Sequence, residues 1–158
     1  MKVKVFAVKK ENEDEITNKP LEKVAYIKLV NKNKFNYIVI KNPSDSNEIC
    51  TIKDIKILNV DSANGLCLMQ GEEERVKEPE EVRVADNAGI LNIESRLQEY
   101  EDNKKLQICR NEIVKNKECN ILDKSVLIVL PKGCLFIKLD TEVDKLDLNI
   151  NWISESIG

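Results

Sequence analysis

The chain has 158 residues, 42% of them hydrophobic and 34% charged, with a formal net charge of −3. These values are typical of a soluble globular protein, and the length predicts a single domain over residues 1–158. The complete absence of histidine excludes Ser-His-Asp and Cys-His nucleophilic sites, histidine metal sites and histidine acid–base chemistry.

Neither a secretory segment nor a metal site is indicated. The first ten residues, MKVKVFAVKK, alternate lysine with apolar residues, which predicts a strand and not a signal peptide. No apolar run approaches the roughly 20 residues of a membrane span, so we expect synthesis in the cytoplasm. The widely spaced cysteines form no CxxC pair, which predicts reduced thiols, no metal and no cofactor. They are Cys50, Cys67, Cys109, Cys119 and Cys134.

The N-terminal third is predicted to contain three strands. Residues 3–8 form the first, and residues 24–30 and 35–40 form a hairpin across the turn at residues 31–34, whose asparagines suit a turn. A polar loop follows at residues 42–47.

Shorter strands are predicted in the middle of the chain, at residues 54–60, 66–70, 82–85 and 105–110. The one predicted helix lies near residues 90–102, because Ile93, Leu97 and Tyr100 fall at helical spacing beside good helix formers. Residues 113–121 connect the last of these strands to the C-terminal region.

The C-terminal region gives the clearest pattern. Strands at residues 126–130, 134–139 and 146–153 are separated by a type I turn at residues 130–133 and a polar corner at residues 140–144, which predicts an antiparallel meander. The last strand alternates strictly, with Asp147, Asn149 and Asn151 on its wet face. Its packed face consists of Leu146, Leu148, Ile150 and Trp152.

Together these elements predict an all-β fold. About nine or ten short strands and at most one short helix, near residues 90–102, indicate an antiparallel β-sandwich or a jelly-roll-like barrel.

Charge is unevenly distributed along the chain. Residues 1–41 hold ten lysines against five acids, a balance of +5, whereas residues 42–158 have a balance of −8. Such asymmetry suits contacts between copies of one subunit or with nucleic acid, although chance and solvated strand faces also produce it. The densest acidic run, residues 71–81 with a balance of −4, is predicted to be a solvated loop, or else a contact for a basic partner.

The sequence also suggests two alternative sites. The basic N-terminal third holds four aromatic residues, and lysines flank two of them, which suggests an aromatic platform for single-stranded nucleic acid. The aromatic residues are Phe6, Tyr26, Phe35 and Tyr37, and the flanking lysines are Lys32, Lys34 and Lys41. The alternation of Phe35 and Tyr37 with Val39 is, however, more typical of core positions. Carboxylate pairs at residues 140/144 and 99/102 suggest a hydrolase, yet a chain with 28 acidic residues contains such pairs by chance. No catalytic, cofactor-binding or metal-binding residue is therefore assigned.

By elimination, the sequence predicts a non-enzymatic structural subunit that contacts other copies of itself and neighbouring assembly proteins. We expect it in a virus or phage particle, as a capsid-decorating, collar or tail component. The alternative is a β module that binds carbohydrate or single-stranded nucleic acid. If the protein is a structural subunit, we expect no membrane, nucleic-acid or small-molecule partner.

Overall fold

The computed structural model describes residues 4–9, 22–58, 60–72, 83–84, 91–97 and 105–157. In these ranges there are ten antiparallel strands and no helix. The strands are β1 (Val5–Lys9), β2 (Lys23–Lys41), β3 (Glu48–Leu58), β4 (Asn64–Glu72), β5 (Arg83–Val84), β6 (Asn92–Arg96), β7 (Leu106–Ile113), β8 (Cys119–Asn120), β9 (Ser125–Val129) and β10 (Gly133–Ser156).

Two long strands, β2 and β10, organise the fold. They pair with each other in antiparallel register along most of their length, and the register is interrupted only near residues 138–145 of β10. On either side of that interruption each strand joins a different set of neighbours. Both strands therefore pass through two layers of sheet.

Layer 1 is built on residues 37–41 of β2 and 133–139 of β10. Here β10 also pairs with β4, β4 pairs with β7, and β2 pairs with β6, which in turn pairs with β5. Layer 2 is built on residues 23–30 of β2 and 145–156 of β10. Here β10 also pairs with β3, and β3 pairs with β8 and with β9. Strand β9 in turn pairs with β1.

The core lies between the two layers. Layer 1 contributes side chains such as Ile38, Leu68 and Ile137, and layer 2 contributes the predicted apolar face of β10. Leu146, Leu148, Ile150 and Trp152 are all at most 5% exposed, while Asp147, Asn149 and Asn151 are on the opposite face. The predicted all-β sandwich and the strict alternation of the last strand are both confirmed.

The predicted hairpin and the predicted meander are both wrong, for one reason. Residues 31–34 lie inside the continuous strand β2, and residues 140–144 lie inside the continuous strand β10. Both polar segments are bends and not reversals, so the chain crosses from one layer to the other there. Moreover, β9 pairs with β1 and β3 and not with β10, so the turn at residues 130–133 also connects two layers.

The predicted helix is wrong over residues 92–96, which form β6. Leu91, Ile93 and Ser95 are buried at alternate positions, and this two-residue period decides the conformation of a segment that pairs with β2. Residues 98–102 lie outside the described residues.

The predicted type I turn is type II in the structure. Gly133 N donates to Leu130 O at 2.8 Å, closing the turn, and Lys132 has a φ of 74°. A positive φ at the third position defines the type II turn and normally favours glycine or asparagine there.

Candidate interaction face

The exposed hydrophobic side chains are concentrated on the outer face of layer 2, the face that points away from the core. Five of the nine large hydrophobic side chains that are exposed in the described chain lie there. Phe6 and Val8 are 44% and 42% exposed on β1, and Val24, Tyr26 and Val30 are 63%, 40% and 48% exposed on β2. Because buried Val5, Ala25, Ile27 and Leu29 alternate with them, the strand period places these five on the solvent side.

An apolar row crosses this face from β1 towards β10. Phe6 pairs with Ile128 on β9, Ile128 with Thr51 on β3, and Thr51 with Ile153 on β10. The last three side chains are half-buried and Phe6 is exposed. Directly opposite residues of adjacent strands have neighbouring side chains, so the row is continuous across four strands.

Beside this row the face is polar, and its carboxylates accept hydrogen bonds from neighbouring side chains. Tyr26 Oη donates to Asp147 Oδ2 at 2.7 Å, and Asp54 accepts from Asn120 Nδ2 at 2.9 Å and from Asn151 Nδ2 at 3.4 Å. Lys56 forms an ion pair with Glu118 at 3.4 Å. The face thus offers both signs of charge to whatever contacts it.

Two buried acceptors on the same face lack hydrogen-bond partners. These are Asn149 Oδ1 and Asn151 Oδ1, which belong to neighbouring outward positions of β10. Native structures contain few such atoms, and each has an energetic cost in the isolated chain.

The outer face of layer 1 is closed by contrast. Tyr37, Val39, Cys134 and Phe136 form a second buried cluster there. The Tyr37 and Phe136 rings are 5.8 Å apart, and Lys105 Nζ lies 4.8 Å and 4.2 Å from their centroids. A cation over an aromatic ring is a favourable contact. The Lys105 side chain therefore covers these two rings on the outer face of layer 1.

The four aromatic residues of the predicted platform do not form one exposed surface: Phe6 and Tyr26 are exposed on the outer face of layer 2, whereas Phe35 and Tyr37 are buried. Phe35 is fully buried between the layers and Tyr37 is buried in the outer cluster of layer 1. A base cannot stack on either ring in this conformation. The core interpretation of these two residues is confirmed.

The predicted carboxylate pair at residues 140 and 144 is separated by its partners. Asp140 is ion-paired with Arg110, and its hydrogen bond and charge raise the pKa of that guanidinium. Asp144 lines a different feature, a cavity of about 140 Å³ at the bend of β10, together with Asp61 and Glu142. All three of these acids are exposed. The pair at residues 99 and 102 lies outside the described residues.

No group of three or more cysteine or acidic side chains in the described ranges could hold a metal ion. All five cysteines are free thiols, with Cys50 and Cys134 buried. The described chain also contains no helix long and apolar enough to cross a membrane. Most of the acidic run at residues 71–81 lies outside the described residues, and only Gly71 and Glu72 fall within β4.

Sequence reasoning missed the outer face of layer 2, although one signal for it exists. Residues 24–30 read VAYIKLV, in which apolar residues occupy both alternating sets of positions. A strand with one wet face should alternate apolar with polar residues. The apolar residues at the outward positions 24, 26 and 30 indicate that the outer side of this strand is also suited to a protein–protein contact.

No protein-family model matches this chain, and no curated protein or solved structure is significantly similar to it.

Proposed function

We propose that this protein is a non-enzymatic structural subunit that assembles through the outer face of layer 2. The observation that carries the proposal is the concentration of exposed Phe6, Val8, Val24, Tyr26 and Val30 on that one face. These side chains form two apolar patches, one on β1 and one on β2, at opposite edges of the layer. Exposed apolar patches rimmed by polar residues are a mark of protein–protein contact. The closed outer face of layer 1 supports the same choice, because the chain covers apolar side chains there.

The proposed occupant of this face is another copy of the same chain. The face carries Lys28 and Lys56 as well as Asp54 and Asp147, so two copies related by a two-fold axis can set opposite charges against each other. Its five adjacent strands, β1, β9, β3, β10 and β2, each present alternate side chains on this face. Assemblies of this kind include virus and phage particles, and we propose a capsid-decorating, collar or tail component as the class.

Sedimentation velocity at micromolar concentration tests the proposal. We expect an oligomer for the native protein and a monomer for Val24→Glu, because a carboxylate buried in an apolar contact is costly to desolvate. Leu106→Glu is the matched control: Leu106 is 63% exposed, as Val24 is, but lies on β7 of layer 1.

A native protein that sediments as a monomer at these concentrations contradicts the proposal. So does a Leu106→Glu variant that dissociates as fully as Val24→Glu, because the contact would then not be specific to layer 2. A two-fold contact through a single face closes at a dimer, so we expect negative-stain microscopy to show particles of one size, and extended filaments would contradict the two-fold arrangement.

A further inference from the structure

Strand β1 is the terminal strand of layer 2 and has a neighbour, β9, on one side only in the described chain. Phe6, Ala7 and Val8 are all exposed, including Ala7, whose side chain points to the inner side of the layer. Beyond the buried Val5, β1 is therefore exposed on both faces in the described part of the chain.

The hydrogen-bonding groups on the open side of β1 can be identified from one bond. Leu130 N donates to Lys4 O at 2.9 Å, so the backbone groups of Lys4 point towards β9. In an extended strand these groups alternate in direction. The backbone N–H and C=O groups of Val5, Ala7 and Lys9 consequently point away from β9, to the open side.

This edge lacks the usual protection against strand addition. Between Lys4 and Lys9 it has no charged residue and no proline, and its register with β9 runs through five consecutive pairs without a bulge. Protected edges carry a central lysine, a proline or a bulge. An edge with none of these is a template for another strand.

The charges at the two ends of β1 determine which kind of partner strand can pair with it. Lys4 precedes β1 at one end, where its carbonyl oxygen accepts from Leu130 N, and Lys9 lies at the other end, where it pairs with Ser125. A second copy paired antiparallel through β1 would bring the Lys4 end of one strand towards the Lys9 end of the other at both ends, which is unfavourable. A strand with carboxylates at both ends meets opposite charges instead.

We infer that β1 is a docking edge for an extended segment of a partner protein that has alternating apolar residues in its centre and acidic residues at both ends. The segment adds to layer 2 as a further antiparallel or parallel strand, with hydrogen bonds to Val5, Ala7 and Lys9. Its apolar side chains continue the row that starts at Phe6. The inference deepens the proposed function and rests on the protein acting through protein–protein contacts.

The test uses a fluorescein-labelled synthetic peptide, EVTVTVE, titrated into the full-length protein with anisotropy as the readout. We expect saturable binding that weakens about tenfold when the glutamates are replaced to give KVTVTVK, and similarly at high salt. Ala7→Pro should weaken binding about tenfold, because it removes an open-side N–H while leaving the β9 ladder intact. Ala7→Ser keeps that N–H and should bind as the native protein does.

A second variant covers the case in which Ala7→Pro does not fold. The surface double substitution Lys4→Glu with Lys9→Glu should reverse the preference, so that KVTVTVK binds better than EVTVTVE. Equal binding of both peptides to the native protein, no binding of EVTVTVE, or an unchanged preference in the double variant would each overturn the inference. A native dimer that Ala7→Pro converts to monomer would show that a second copy is the occupant instead.

The Val24→Glu variant separates this inference from the proposed function. Val24 lies on β2, at the opposite edge of layer 2 from β1. If the native protein is monomeric but binds EVTVTVE, the assembly proposal fails and the docking edge stands. If Val24→Glu dissociates an oligomer and neither protein binds the peptide, the docking edge fails alone.

Discussion

At the scale of single residues, Lys132 shows how a turn can hold an unfavourable residue for reasons the local sequence does not reveal. The left-handed region costs a non-glycine residue roughly 1–2 kcal/mol, and Lys132 has a φ of 74°. The following position is Gly133, where an added Cβ would lie 2.7 Å from Lys4 O and 2.9 Å from Leu130 O. Glycine is therefore required for close packing at the position after the strained one.

We predict that Lys132→Gly raises the free energy of unfolding by about 0.5–1 kcal/mol, since relief of the positive φ exceeds the added freedom of the unfolded chain. Urea denaturation measures the change. Lys132→Ala is the control, and it should give no gain because alanine keeps the steric conflict. An equal gain from both variants would assign the effect to the lysine charge and contradict the turn argument.

Cys50 gives a second prediction at this scale, through pH. Burial, assisted by the charge of Glu48, raises the pKa of the Cys50 thiol from 9.0 to about 12. The folded state therefore keeps this proton while the unfolded state releases it above pH 9, so its contribution to stability is complete below pH 9 and is lost as pH rises towards 12.

The stability difference between the native protein and Cys50→Ala should consequently narrow between pH 8.5 and pH 10.5, by at most about 1.4 kcal/mol per pH unit. Urea denaturation of both proteins at each pH measures this difference, and comparing them cancels the other alkaline titrations. A difference that stays constant over this range contradicts the burial argument.

At the scale of elements, the bends of β2 and β10 are where sequence reasoning failed most clearly. Polar runs such as residues 31–34 and 140–144 have turn composition, and a local pattern cannot distinguish a reversal from a bend. The distinction depends on pairing: each half of β2 meets the matching half of β10, a contact between residues far apart in sequence. The alternation of residues 146–152, which is local, was predicted correctly.

The bend of β10 is stabilised by a side chain that replaces a missing strand neighbour. Residues 139–142 have no partner in the β2 register. Asn64 on β4 donates from Nδ2 to Thr141 O at 3.0 Å and accepts from Thr141 N at 3.1 Å. The amide thus makes the two hydrogen bonds that a backbone residue makes in a ladder.

We predict that Asn64→Ala lowers the free energy of unfolding by about 2 kcal/mol, because it leaves the Thr141 backbone groups without these partners. The Thr141 amide should also lose protection in native-state hydrogen exchange. Asn64→Asp keeps the acceptor and removes the donor, so Thr141 N–H should stay protected with a smaller loss of stability. Unchanged exchange at Thr141 in Asn64→Ala would show that the bend does not depend on this side chain.

At the scale of the whole molecule, the fold class followed from the sequence but the candidate site did not. Strand periodicity and turn clusters are properties of short windows, and they led to an all-β chain. The interaction face combines Phe6, Ile128, Thr51 and Ile153, which are separated by up to most of the chain length. Only the strand order brings them into one row.

The same limit explains the aromatic residues. Phe35 and Tyr37 looked equivalent as neighbours in one strand, yet they are buried in different clusters on opposite sides of layer 1. Tyr26, in the other half of β2, is the exposed ring. Which half of a bent strand faces solvent depends on the layer that covers it, and that is a property of the tertiary structure.

Photochemical carbene labelling of side chains, compared between dilute and concentrated protein, tests the central claim most directly. If the outer face of layer 2 is the contact between copies, labelling of Val24, Tyr26 and Ile153 should fall as the protein assembles, while labelling of Leu106 on layer 1 stays constant. Constant labelling of the first three residues, or a loss at Leu106 instead, would contradict the account.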